Sequence, residues 1–289
     1  MPRVLVIGAT GNVGRQVVAQ LLAADVQIRA LVRHPDTAAL PPEVEVVPGD
    51  LTRPDTLDRC LDGIDTVFLV WVAPAAAAAP ALERITKHIR RIVFLSAPLK
   101  TPHPFFQQPN KSRAQAEHIE RLIVTSDIQW TFLRPGIFAA NALHWWAPQI
   151  RAGDIVRWPN LSVPTAPIHE RDIAAVAVRV LCEEGHARAE YVLTGPQSLT
   201  QAEQISTIGS VIGRPLSVEE IPPSDAHHEL LTIMPASVAN MLLNAWNAAA
   251  GLPAFVTCTV GEITGAPART FFDWATDHAA EFHQHDSPR

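Results

Sequence analysis

Residues 2–14, Pro-Arg-Val-Leu-Val-Ile-Gly-Ala-Thr-Gly-Asn-Val-Gly, constrain the fold more than any other stretch of the chain. Val4, Leu5, Val6 and Ile7 form a continuous apolar run, the pattern of a strand covered on both faces. Val13, Val17, Val18, Leu21 and Leu22 then recur at helical spacing. Between strand and helix lies Gly8-x-x-Gly11-x-x-Gly14, a relative of the G-x-G-x-x-G dinucleotide fingerprint. One glycine permits a tight turn, one lets a diphosphate approach the backbone, and one lets the helix lie against the strand. The free amides and the positive dipole end of the helix then face the diphosphate. Three spaced glycines say little alone; the strand before them and the helix after them supply the meaning.

The alternation continues. Residues 27–33 read as a second strand closing on Arg33-His34-Pro35. An acidic residue there would bind the adenosine ribose of NAD, whereas arginine matches the extra phosphate of NADP, so NADP(H) is expected over NAD(H). A merely solvated Arg33, with Asp36 nearby, is the competing reading. Residues 44–48 form a third strand leading into Gly49-Asp50-Leu51, followed by a short helix over 54–61 with Pro54 just inside its start. Residues 65–72 and 91–97 are the fourth and fifth strands. Such apolar strands, separated by segments of crossover length, call for an α/β fold with a doubly wound parallel sheet whose ligand crosses the carboxyl ends of the strands. Asp50, Trp71, Val72, Ser96 and Ala97 fall at those ends.

The alanine run bracketed by Pro74 and Pro80 reads as a short helix or cover. A proline-rich loop over 97–110 sits above the expected cofactor and brings Lys100, His103, Phe105 and Phe106 near it. A helix over 111–125 and a sixth strand over 128–134 run into Pro135-Gly136-Ile137-Phe138. Trp145, Trp146 and Trp158 either line a site for a flat conjugated substrate or, the commoner use of tryptophan, pack in a core. His169-Glu-Arg-Asp172 opens an apolar helix expected to return onto the sheet; without His-Glu-x-x-His spacing, capping rather than metal binding is its expected role. Residues 190–194 suit a strand, and Thr200-x-x-Glu203 is a capping box for a helix that stops at Gly213. Two or three more helices and a polar tail after Phe282 complete the chain. The expected division is a dinucleotide-binding domain at 1–150, with 165–182 packing back on it, and a smaller, mostly helical domain at 151–289.

Composition narrows the partners. A formal charge of −6 opposes a nucleic-acid or basic membrane surface. Cys60, Cys182 and Cys258 form no Cys-x-x-Cys pair, which suits reduced thiols and no metal framework. Neither a secretory leader nor an apolar run of membrane-spanning length is visible. The expectation is a cytoplasmic protein acting on a small molecule, with its oligomeric state open.

Several of these segments together resemble the NmrA-like class of atypical short-chain dehydrogenase/reductases. They are the glycine turn at 8–14, Leu31-Val-Arg33, Pro48-Gly-Asp50-Leu51, residues 131–141 around Arg134-Pro135-Gly136, His169-Glu-Arg-Asp172, residues 191–200 and residues 264–274. The resemblance spans essentially the whole chain. It implies a Rossmann fold with cofactor contacts from Gly8, Thr10, Gly11, Asn12, Val13, Gly14, Arg33, Asp50 and Leu51. Nearer the nicotinamide it implies Trp71, Val72, Ser96, Pro135, Gly136 and Phe138. One departure matters. Typical short-chain dehydrogenases pair tyrosine and lysine as Tyr-x-x-x-Lys, and here Pro109 takes the tyrosine position and Arg113 the lysine position. The single tyrosine, Tyr191, lies far along the chain. Arg113 is suited to binding the nicotinamide ribose or neutralising developing charge, and poorly suited to donating a proton.

That loss shapes the expected chemistry. Hydride addition to an ordinary ketone creates an alkoxide, for which a positioned acid is worth about 10²–10⁴ in rate. Reduction of a quinone instead leaves a phenolate-like anion with a pKa near about 10, and a cationic dye is simply neutralised. The sequence therefore points to an NADPH-dependent reductase of a quinone-like or polycyclic aromatic compound stacked near Trp71, Phe105, Phe138 or the Trp145-Trp146 pair. His103, Lys111, Arg113 and His144 are its candidate catalytic groups. A redox sensor that binds NADP(H) without turnover, and a cyclising or epimerising enzyme on the same fold, are the alternatives.

Overall fold

The computed structural model describes residues 3–283; Pro2 and the tail from residue 284 lie outside the described residues. Six strands appear in the first half: β1 (Arg3–Ile7), β2 (Gln27–Val32), β3 (Glu45–Pro48), β4 (Thr66–Val70), β5 (Arg91–Leu95) and β6 (Gln129–Pro135). Between them run α1 (Asn12–Ala23), α2 (Asp58–Leu61), α3 (Ala78–Thr86), α4 (Pro104–Gln107) and α5 (Lys111–Val124). Next come α6 (Asn141–Trp145), α7 (Ala147–Ala152), β7 (Ile155–Trp158), β8 (Pro164–Thr165), α8 (Glu170–Cys182), β9 (Ala189–Leu193), β10 (Leu199–Thr200), α9 (Gln201–Val211) and β11 (Ser217–Glu220). Four helices close the chain: α10 (Pro223–Leu230), α11 (Ala236–Ala249), α12 (Thr259–Thr264) and α13 (Phe271–Asp277).

The main sheet has the order β3-β2-β1-β4-β5-β6-β9, and every neighbouring pair in it is parallel. It is the doubly wound Rossmann arrangement, with the strand order reversing between β1 and β4. Alternation along β1 serves both faces. Val4 and Val6 pack with α1 and α8, through Val13, Val17, Val18 and Leu21 on one helix and Ile173, Val176 and Val180 on the other. Leu5 and Ile7 pack with α2, α3 and α5 through Leu61, Leu82, Ile85 and Ile119. Each such fully buried aliphatic side chain contributes about 1.5–3 kcal/mol.

Some elements differ from expectation. The helix at the alanine run begins only at Ala78, after a single 3-10 turn, and Pro80 lies inside its first turn. A proline is tolerated there because the first-turn N–H groups have no intrahelical acceptor. The strand near residue 190 is the seventh strand of the main sheet, beside β6. The chain therefore crosses residue 150 and returns to the sheet twice, as α8 and as β9. Helices α6, α7, α9, α10, α11 and α13 form a separate apolar cluster in which Trp146, Trp158 and Trp246 are fully buried, while α12 packs on α8 through Val260. Trp145 stacks on Trp158 with centroids 5.7 Å apart, so the tryptophans make a core rather than a substrate platform. The capping box of Thr200 and Glu203 opens α9 as expected.

A polar clasp joins the end of α13 to the start of α8. His169 caps α8, its Nδ1 accepting from the Arg171 N–H at 3.2 Å and its Nε2 meeting Asp277 at 3.1 Å. His278 Nε2 lies 2.7 Å from Glu170 Oε1, and its Nδ1 lies 3.2 Å from Glu281. The Glu170 contact, aided by Glu281 and opposed by burial, holds the His278 imidazolium above the usual histidine range. Burial works to raise the Glu170 carboxyl, but His169 and His278 outweigh it and hold it well below the usual range. Stability from His278 is thus fully present below the unfolded histidine pKa and is lost as pH rises through the raised value; that from Glu170 is lost only as pH falls through its lowered one.

Two outcomes follow from this packing. A Cβ on Gly14 would stand 2.0 Å from the Gly8 carbonyl oxygen, so Gly14→Ala should cost about 3 kcal/mol or more, or abolish folding, as read by urea unfolding. The wild-type melting temperature should fall as pH rises from the ordinary histidine pKa, about 6.5, through the raised value of His278, and His278→Gln should flatten that decline.

Candidate functional site: a dinucleotide cleft and an adjoining cavity

The turn after β1 is built for close approach. Gly8 has φ +89°, and a Cβ there would meet Val70 on β4 at 2.7 Å, so the loop lies directly against the neighbouring strand end. Gly11 is the N-cap of α1, carries no capping side chain, and is followed by a first turn without an acidic residue. The first N–H groups of α1 are thus left for an external anion. A cleft of about 540 Å³ opens here at the strand-order reversal, where doubly wound sheets bind ligands. Gly8, Thr10 and Gly11 line one part of it, Arg33, His34 and Thr37 another, and Asp50, Leu51 and Val72 the far side. These residues fit a dinucleotide: uncapped amides for its diphosphate, and a cationic edge for its adenosine end. Asp36 is exposed but does not line the cleft.

Asp50 closes the β3 end of the cleft. The Thr52 N–H and hydroxyl both donate to its Oδ1, at 2.8 and 2.9 Å, and hold its carboxyl below the usual range with help from Arg33 and Arg53. Val13 and Gly14 are buried beneath the loop, and Asn12 is exposed at the first position of α1. Pro135 is buried within β6, and Phe138 packs half-buried on the α1/α8 core while bridging to Ile168.

Two further cavities continue along the carboxyl edge. One, of about 210 Å³, is lined by Trp71, Ser96 and Gln115. Both the Trp71 indole N–H and the Gln115 amide donate to the Ala73 carbonyl, at 2.6 and 2.8 Å. The other, of about 190 Å³, has Ala97, Pro98, Gly136 and Ile137 at the ends of β5 and β6, Phe105 and Phe106 from α4, and Met241, Leu242 and Ala245 from α11. Its polar corner is the start of α5, with Asn110, Ser112 and Arg113. Asn110 caps that helix by accepting from the Arg113 N–H at 2.8 Å, and the Arg113 guanidinium donates to the Phe106 carbonyl at 2.6 Å.

The other catalytic candidates stand elsewhere. Lys111 and His144 are exposed and line neither of these cavities. His103 caps α4 through Nδ1, and its Nε2 contacts the Pro253 carbonyl at 3.1 Å, so both ring nitrogens are engaged. The Tyr191 hydroxyl lies on β9 against His186 at 2.7 Å. Among the described residues no group of three or more His, Cys, Asp or Glu side chains is arranged to hold a metal, and no described helix is long and apolar enough to cross a membrane.

Behind the cavities lies an ion pair that motif reading missed. Arg134 on β6, 2% exposed, binds both oxygens of buried Glu120, at 3.0 and 2.6 Å, and reaches Glu190 at 2.6 Å. The Ser96 hydroxyl donates to the same Glu120 at 2.6 Å. The pair thereby ties β5, α5, β6 and β9 together under the cavity floor. Its only sequence signal is a charge inside an apolar strand beside one on the buried face of a helix. His34, Thr37 and the three α11 residues were likewise not singled out; an amphipathic spacing through residues 238–249 was the available signal for the last.

Cleft and sheet define a dinucleotide-binding protein of the doubly wound α/β class. The sequence profile described as NAD(P)H-binding matches residues 8–184. The chain belongs to that family, within the NmrA-like atypical short-chain dehydrogenase/reductases. It is 38% identical to the (4-alkanoyl-5-oxo-2,5-dihydrofuran-3-yl)methyl phosphate reductase of Streptomyces griseus, over 96% of this chain and 99% of that protein. It is 33% identical to the NAD(P)H azoreductase of Xenophilus azovorans, again over 96% and 99%. Its fold matches that of the Citrobacter triphenylmethane reductase with a TM-score of 0.81 at 20% identity, covering 96% and 99% of the two chains.

Removing Glu120 would leave Arg134 buried with the partly exposed Glu190 as its one remaining carboxylate among the described residues, beside a long contact to the Leu99 carbonyl. Glu120→Ala should therefore cost about 3 kcal/mol or more in urea unfolding, whereas Lys100→Ala, at the exposed rim of the same network, should cost less than about 1 kcal/mol.

Proposed function

We propose that the protein is an NADPH-dependent reductase that delivers hydride to a small conjugated acceptor, quinone-like or aromatic, whose reduced form is a delocalised anion or a neutral molecule. The observation that carries this reading is the makeup of the acceptor cavity: its described polar lining is Gln108, Asn110, Ser112 and Arg113, with no tyrosine, histidine or carboxylic acid. Nothing there donates a proton readily near neutrality, so the charge left by hydride must rest on the substrate's own conjugated system, with the proton coming from water. The cofactor supplies the hydride. The chain seats the diphosphate on the start of α1, directs the far end of the dinucleotide along the ends of β4 and β5, and offers Arg113 beside the place where negative charge develops.

The two relatives support the same chemistry. The substrate that gives the Streptomyces enzyme its name holds a ring double bond conjugated with a lactone and an alkanoyl carbonyl, and hydride addition there leaves an enolate spread over both. An azo group is likewise a conjugated acceptor. Cofactor contacts are assigned to Gly8, Thr10, Gly11, Asn12, Asp50, Leu51 and Val72, with Val13, Gly14 and Pro135 shaping the cleft from behind and Trp71, Ser96, Gly136 and Phe138 near the nicotinamide end. Arg33, with His34 and Thr37, is assigned to the adenosine phosphate of NADP(H). Residues 3–135 with α8 and β9 form the cofactor unit, and the cluster built from α6, α7, α9, α11 and α13 covers the substrate.

Two measurements test this. Arg33→Ala should weaken NADPH binding by about 1.5–3 kcal/mol and NADH binding far less, by calorimetry; equal losses refute the NADP assignment. Loss of reduced-nicotinamide absorbance should be seen with menadione, an azo dye or an unsaturated lactone, and be at least about 100-fold slower with cyclohexanone. Tight NADPH binding without turnover of any conjugated acceptor would sink the reductase reading.

A further inference from the structure

The 190 Å³ cavity is chemically two-sided. Its ceiling, from Phe105 and Phe106 to Met241, Leu242 and Ala245, presents only apolar atoms from side chains and suits a hydrocarbon chain. Its corner at α5 carries the one charged residue of the described lining, Arg113, and no carboxylate lines the cavity to neutralise it. The chain's well-buried arginines are treated otherwise: Arg134 has Glu120 and Glu190, and Arg29 has Glu45. Arg113 is half-buried and held at both ends, its backbone N–H on Asn110 and one terminal nitrogen on the Phe106 carbonyl. A guanidinium has five N–H donors, so most of this fork is left for a ligand. An oriented, partly desolvated arginine without a carboxylate partner is a receptor for a planar or tetrahedral anion.

We propose that this cavity selects an anionic amphiphile: the acceptor carries a phosphate or carboxylate that rests on Arg113 and an alkyl or acyl chain that lies under α11. This rests on the reductase reading and deepens it by naming the substrate class. The floor of the cavity at Ala97, Pro98 and Gly136 places the conjugated centre at the ends of β5 and β6, between head and chain. Arg113 is thereby a specificity residue as well as a site of charge neutralisation.

The test is a binding experiment that needs no turnover, so its failure is separate from any failure to oxidise NADPH. Protein saturated with NADP⁺ is titrated calorimetrically with decyl phosphate, decanoate and decanol. At least one of the two anions should bind about tenfold or more tightly than decanol, and whichever binds tighter identifies the head as phosphate or carboxylate. In Arg113→Ala that discrimination should fall to within about threefold, with Arg113→Lys intermediate. Met241→Trp, which fills the apolar end, should weaken the preferred anion at least about tenfold while circular dichroism and melting temperature show the fold retained. The proposal is overturned if decanol binds as tightly as both anions, if Arg113→Ala leaves the discrimination intact, if Met241→Trp leaves affinity unchanged, or if the anions bind only by displacing NADP⁺.

Discussion

Contact between the first turn of α1 and the end of β1 is the constraint on which the rest depends. Gly14 sits so close to the Gly8 carbonyl that no side chain fits between them, and a Cβ on Gly8 would in turn stand 2.7 Å from Val70 on the next strand. Helix and strand can approach this far only where both backbones are bare. The approach aims the uncapped amides of α1 across the carboxyl edge of the sheet, at the one place where neighbouring crossovers diverge and leave room. Shift that helix outward by one side chain and its uncapped amides, their distance from Arg33 and the mouth of the cleft all move with it.

From that seat the work is divided by layer. The sheet and its covering helices frame the dinucleotide cleft, while the adjoining cavity is walled by α4, α5 and α11, which belong to no strand. The two regions are braced by Arg134 and Glu120, a buried pair costly to desolvate and costly to break, which suits a fixed floor better than a moving part. The cavity above it offers positive charge without acidity. In the reductase proposed above, such a site would stabilise an anion as it forms without protonating it.

Much of this was legible in the residues because local rules carried it. Apolar runs broken by glycine and proline gave the first six strands, and the capping box at Thr200 and Glu203 marked α9. The glycine loop, Arg33 and Asp50 line one cleft as their positions at strand ends required. What was not legible depended on contacts distant in sequence. The pairing of β9 with β6 is set by packing across sixty residues, and no periodicity announces which strand it joins. His103 in a proline-rich loop looks like a free catalytic group until Pro253, far along the chain, is found against its ring. The tryptophans at 145, 146 and 158 were readable as core or as a stacking platform, and the contacts of Trp246 on α11 with Trp145 and Trp158 decide for the core. The acceptor wall was hardest to see, since Met241, Leu242 and Ala245 are ordinary helix residues until α4 lies against them.

Because that wall rides on a helix outside the sheet, exchange of a few side chains on α11 reshapes the cavity without touching the dinucleotide cleft. Cleft and cavity are thereby lined by different parts of the chain, and a change at one leaves the walls of the other in place.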